Sequence, residues 1–184
     1  MNQLQFRYRF YLLIISTILC LGFTACKEDD ASEPEIDTTA IFPGVDERLV
    51  SYFLSFEIEA SRRGYLIDLG QLGITGVIRP INGAGQAVVG RCTFNEEEPN
   101  HLVIDQTFWE SSSNRLREFI IFHELGHCVL YRAHRDEQDS NGFCLSIMRT
   151  SNAVCTENYF STRRTALLDE LFDAQFVDEL KEED

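Results

Sequence analysis

Three observations predict an α+β domain over residues 41–184. A helix-period apolar run opens this stretch, four short apolar or alternating runs separated by Gly, Asn and Pro fill its middle, and two further helix-period runs close it. Helix, then strands, then helices is the order of an α+β fold. The length suits one domain with its own core and is short for two, and no internal repeat is visible.

The first helix is expected over 43–64. Pro43 stands where a helix can start and Gly64 where it can stop, and Val45, Leu49, Tyr52, Phe53, Phe56 and Ala60 recur at helical spacing between them. Strands of a small sheet are expected at 65–69, 76–79, 86–93 and 101–105. His101, at the start of the last of these, reads as a surface or capping residue, because no other ligand type lies at metal spacing near it. A second helix is expected from Ser113 to Tyr131, with Ser111, Ser112 and Ser113 as N-cap candidates. After an irregular segment, a last amphipathic helix is expected over 162–180, burying Leu167, Leu168, Leu171, Phe172 and Val177.

The second helix carries the chemistry. His123-Glu124-Leu125-Gly126-His127 places two imidazoles one turn apart on one helix face, where both reach a single ion, with Glu124 beside them to act on an activated water. A short motif also arises by chance, so a packed pair of histidines is the bland alternative. The motif points to a zinc-dependent hydrolase, most simply a peptidase that takes a peptide or protein substrate.

Four cysteines fall in the domain: Cys92, Cys128, Cys144 and Cys155. An even count invites disulfides in an exported domain, and four cysteines allow three connectivities. Cys144 with Cys155 and Cys92 with Cys128 is the expected pairing, two buried thiols being the alternative for the second pair. No CxxC spacing suggests a cysteine ligand.

Residues 1–25 read as a targeting segment, with Arg7 and Arg9 ahead of an apolar stretch at 11–21 that is short for a membrane span. Phe23-Thr24-Ala25-Cys26 resembles a bacterial lipoprotein cleavage box, which implies lipidation of Cys26; an ordinary secretory signal is the alternative. The acidic run at 27–39 lacks the apolar content to fold and reads, within residues 26–40, as a flexible tether. Lys27-Glu28-Asp29-Asp30 also resembles the export tag of surface-displayed lipoproteins, so an outer-membrane lipoprotein facing the cell surface or the periplasm is expected. Losing Arg7 and Arg9 with the leader takes the formal charge from −14 to −16. That balance argues against nucleic acid or an anionic lipid surface as partner and would steer a cationic peptide inward. Oligomeric state is open.

The segment 113–148 resembles the active-site region of zincins, and Ser146-Ile147-Met148 looks like the methionine turn of the metzincin branch. HELGHC with Arg132-Ala133-His134 and the downstream SIM is similar to a group of small lipoproteins regarded as zinc metallopeptidases. The resemblance implies Zn2+ held by His123, His127 and His134, Glu124 as general base, and Met148 beneath the metal. The chain departs from the metzincin pattern at two positions. Leu130 stands where a glycine normally lets the helix turn, and the third histidine falls one residue late, Ala133 occupying its usual place. In a continuous helix His134 would sit about 16 Å from His123 along the axis, so the helix must break within 131–133, a left-handed residue being one way to do it. Asp136 and Glu170 are the rival third ligands. Tyr159 lies too far along to match a catalytic tyrosine and reads as structural. Subsite walls are expected from 86–94 and 149–158. Against catalysis stands one alternative, a zinc-containing surface lipoprotein that binds a peptide, glycan or protein partner without cleaving it; the intact Glu124 speaks for the enzyme. A purely structural ion would need a fourth protein ligand.

Overall fold

The computed structural model describes residues 41–81, 88–94, 99–150 and 155–173. All of these fall in one compact unit, Asp37–Asp184. The targeting segment, Cys26 and the tether lie outside the described residues.

Helix α1, Glu47–Ser61, begins at Asp46, whose side chain accepts from the Arg48 amide and caps the first turn. The start falls four residues after Pro43 because this capping carboxylate, rather than the proline, satisfies the free amides. Leu49, Val50, Phe53, Phe56 and Ala60 form the buried stripe. Gly64, at φ 87°, then turns the chain back so that the Tyr65 amide donates to Ala60 O.

The strand expected at 65–69 does not form. Leu66 is 97% exposed, and the Leu69 amide is taken by the Glu57 carboxylate instead of a neighbouring strand. Three strands remain among the described residues: β1 Thr75–Ile78, β2 Gly90–Phe94 and β3 Pro99–Ile104. Their spatial order is β1-β3-β2, with β1 parallel and β2 antiparallel to the central β3. His101 is half-buried on β3 and caps no helix. The register sets it opposite Thr75, whose hydroxyl lies 2.7 Å from His101 Nδ1.

A short helix absent from the sequence reading, α2 Gln106–Ser111, follows β3 and is capped by Asp105. Helix α3, Asn114–Leu130, is capped by Ser113, which accepts from the Leu116 amide. It packs against β2 and β3 on one side and meets α1 on another. Two more helices close the described chain, α4 Cys155–Phe160 and α5 Arg164–Leu171. Leu167, Leu168, Leu171 and Phe172 are buried as expected, whereas Val177 lies outside the described residues.

The core sits between α1, α3 and α5. Phe56 meets Phe122 edge-on at 5.2 Å and Phe172 at 5.0 Å, which joins the three helices through one ring. Burying each such side chain stabilises the fold by about 1.5–3 kcal/mol and holds α3 against α1. The rim of this core is tied by charge: Glu59 accepts from Arg63 and Arg164, and Glu118 accepts from Arg164 and from the Tyr159 hydroxyl. Tyr159 is buried and structural.

Candidate metal centre

His123 and His127 project from one face of α3 with their Nε2 atoms 3.2 Å apart. Each ring is oriented from behind. His123 Nδ1 lies 2.7 Å from the Ile147 carbonyl and His127 Nδ1 lies 2.6 Å from the Arg132 carbonyl. A carbonyl only accepts, so both Nδ1 atoms carry the proton and both Nε2 lone pairs face each other. Burial holds His123 down to about 4 and lowers His127 as well, so both rings are neutral and able to ligate at neutral pH.

His134 closes the group, its ring centre 5.4 Å from that of His123 and 4.8 Å from that of His127. One nitrogen from each of the three rings lies within 4.8 Å of the others. Three converging imidazoles can hold a metal ion. Lone pairs facing one another at 3.2 Å repel unless a cation lies between them, and roughly 3.3 Å is the spacing of two nitrogens on a tetrahedral ion with bonds near 2.05 Å. The residues present therefore fit a divalent ion bound by nitrogen.

The break that brings His134 back occurs at Tyr131, which takes the left-handed conformation at φ 52°, ψ 30°. The Arg132 amide donates to Gly126 O at 3.0 Å, which ends α3 one turn beyond His127. A non-glycine residue pays about 1 kcal/mol for this conformation. Buried Arg132 offsets it: its guanidinium donates to the carbonyls of Glu170 and Leu171 at 2.7 and 2.8 Å and pairs with the Glu170 carboxylate. The turn is thus anchored to the carbonyl end of α5, where a cation is electrostatically favoured.

The rival ligands stand elsewhere. Glu170 is held by Arg132 and Arg135, and Asp136 accepts from the Thr150 amide and hydroxyl at 3.0 and 2.9 Å. Asp136 still serves the site indirectly. With the Arg135 amide donating to Met148 O at 2.6 Å, it fastens the His134 loop alongside the Met148 segment.

Met148 is fully buried under α3. A Cβ added to Gly126 would stand 2.5 Å from its Sδ and 3.1 Å from its Cε, so the glycine inside the HExxH motif is the space the thioether fills. The Ser146 hydroxyl accepts from the Met148 amide and tightens the turn.

Glu124 points to the other side of the histidines, toward β2. It is 7% exposed, and burial raises its carboxyl to about 7 against the opposing pull of the nearby Cys92 amide dipole. Gly90 is pressed against it; a Cβ there would lie 2.8 Å from both Cγ and Oε1 of Glu124. The cysteines pair as the sequence suggested, Cys92 with Cys128 and Cys144 with Cys155, at Cα separations of 5.8 and 5.5 Å. Cys128 directly follows His127, so the first bridge ties β2 to the helix that carries His123 and His127. An open depression of about 280 Å³ lined by His127, Tyr131, Arg132 and Ala133 flanks the group.

Sequence reasoning named the three histidines that the structure brings together and both bridges, and it named Glu124 and Met148, which the structure buries on either side of α3. It missed Arg132, Gly90, Gly126 as a contact residue, and the carbonyls of Ile147 and Arg132. Only Gly126 and Gly90 carried a signal, as glycines inside a helix and a strand, where a close approach is one reason to find them. No family model, curated protein or solved structure matches the chain.

Proposed function

We propose that the protein is a zinc-dependent metallopeptidase. The carrying observation is the convergence of His123, His127 and His134, with two of the rings locked by carbonyls so that their free nitrogens meet. Three nitrogen ligands suit Zn2+ and leave a coordination position open, as a catalytic rather than a structural site requires. Zinc there supplies a Lewis acid that polarises a scissile carbonyl and makes water nucleophilic near neutral pH.

The remaining chemistry belongs to the chain. Glu124, one residue from His123 and shielded from bulk solvent, takes a proton from the attacking water and delivers it to the departing amine. Gly90, where a Cβ would lie 2.8 Å from Cγ and Oε1 of Glu124, leaves the room in which that carboxylate stands. The Arg132 and Ile147 carbonyls keep two imidazoles in the ligating tautomer. The substrate is a peptide or protein, and the acidic surplus favours a cationic or neutral one.

The reading extends to location. A leader over 1–25, lipidation at Cys26 and an acidic tether over 26–40 make the domain a lipid-anchored outer-membrane lipoprotein, at the cell surface or on the periplasmic face. The two disulfides support an oxidising compartment.

The test pairs metal analysis with turnover. The purified protein should hold one zinc per chain after dialysis and cleave a mixed peptide library; Glu124→Gln should keep the zinc and lose cleavage. Zinc without cleavage in the parent would leave a zinc-containing binding protein, and no zinc in a folded parent would refute the site.

A further inference from the structure

Residues 65–68 follow the turn at Gly64 and alternate in burial as a strand does. Tyr65 and Ile67 are half-buried against the core, and Leu66 and Asp68 are exposed. The segment is stitched to α1 at both ends. The Tyr65 amide donates to Ala60 O at 3.0 Å, and the Leu69 amide donates to the Glu57 carboxylate at 2.8 Å. In an extended chain every second amide points the same way, so Ile67, midway between these two, also turns its amide toward α1. Among the described residues that amide has no acceptor.

An open depression of about 490 Å³ lies at this gap, lined by Glu57 and Ile58 of α1 and by residues 65–68. It shares no residue with the histidine group. Its rim is apolar, with Ile58 51% and Leu66 97% exposed. Its charges are two carboxylates, Glu57 and Asp68, and among the described residues no cation pairs with either. Arg62, one turn beyond Ile58, is taken by Glu59 at 3.1 Å. Burial and the Asp68 charge push the Glu57 carboxyl above its ordinary value, so a cation is the partner this pair lacks.

We infer that this depression docks an extended cationic peptide, whose Lys or Arg meets Glu57 and Asp68, whose apolar side chain rests on Ile58 and Leu66, and whose carbonyl accepts from the Ile67 amide. Main-chain pairing combined with side-chain contacts is how an extended peptide is held on an open backbone edge. The inference goes beyond the metallopeptidase reading and needs no metal.

Charge selects this occupant. The chain's own acidic run at 27–39 has the wrong sign, and a second copy, at a formal −14, would set carboxylate against carboxylate. A small apolar molecule would cover the rim and leave the amide and both carboxylates unmatched.

The test titrates the full-length protein with acetyl-Lys-Leu-Lys-Leu-Lys-amide, followed by NMR amide shifts and hydrogen exchange, with and without EDTA. Binding should saturate, have the same affinity in both conditions, weaken with added salt and slow exchange at the Ile67 amide by about tenfold. The same peptide with Glu for Lys, or with Ser for Leu, should bind at least about tenfold more weakly. E57Q/D68N removes both charges and keeps an acceptor oxygen for the Leu69 and Gln71 amides. It should bind the lysine peptide about tenfold more weakly, the scale of two exposed charge pairs, with no loss of heat stability. Leu66→Ser, at a side chain with no packing to lose, should also weaken binding.

Equal affinity for the Lys and Glu peptides, or unchanged affinity in E57Q/D68N, would overturn the inference. Binding abolished by EDTA would overturn it by placing the peptide at the metal centre. A parent that is dimeric until Leu66 is replaced would overturn it by giving the depression to a second copy. A parent that holds no zinc and cleaves nothing, yet binds the lysine peptide as described, would sink the enzyme reading and leave the docking site standing.

Discussion

The carbonyl oxygen of Ile147 lies 2.7 Å from Nδ1 of His123, across 24 residues of sequence. Through this one contact the turn that buries Met148 also decides which nitrogen of His123 faces the metal position. The turn therefore supports one member of the histidine group, and its packing should be felt as metal affinity.

Gly126→Ala tests that coupling. The added methyl would meet the Met148 sulfur at 2.5 Å and Leu171 Cδ1 at 3.1 Å, so Met148 must shift and carry Ile147 with it. A loss of about 1–3 kcal/mol in denaturant unfolding is expected from overpacking. Zinc should dissociate faster, read by competition with a chromogenic chelator. Unchanged stability would mean that the thioether has room to move.

His134→Ala should remove tight zinc binding, whereas Asp136→Ala should leave one zinc per chain. The aspartate's hydrogen bonds run to Thr150 rather than to the histidines. Elemental analysis after dialysis reads both. Zinc lost in Asp136→Ala and kept in His134→Ala would reverse the ligand assignment.

Arg132→Met removes the cation that binds the end of α5 and leaves the Glu170 carboxylate paired with Arg135 alone. Breaking a buried pair from one side costs about 3–5 kcal/mol. Because the same residue's carbonyl orients His127, zinc affinity should fall together with stability. A variant that is destabilised yet binds zinc normally would show that the turn at Tyr131 holds itself.

Glu59 should make the fold acid-sensitive. Burial pushes its carboxyl up, but Arg63 and Arg164 outweigh burial and hold it below its ordinary 4.5. The folded value lies below the unfolded one, so the stabilisation is present above about pH 4.5 and is lost as pH falls through the folded value. Glu59→Gln should be less stable at pH 7 and lose less between pH 5 and pH 3, measured by urea unfolding at several pH values. Parallel losses in variant and parent would assign the acid sensitivity to other carboxylates.

The sequence by itself determined the chemistry-bearing helix and its donors. Spacing by four on a 3.6-residue period puts His123 and His127 on one face whatever the rest of the chain does, and Ser113 caps that helix by a purely local contact. The amphipathic runs of α1 and α5 were legible for the same reason: burial follows a period that can be read off the residues. The tertiary structure decided the rest. Residues 65–69 look like a strand, but a carboxylate of α1 takes the amide a sheet would need. His134 became the third member of the metal group only because Tyr131 turns left-handed, a strained state with no signal in the residue itself. It is sustained by Arg132 binding a helix end 38 residues away. The backbone carbonyls that orient His123 and His127 carry no side-chain signature at all. Local periodicity is written in the order of residues, whereas close approach and backbone hydrogen bonding between distant segments exist only once the core has packed them together.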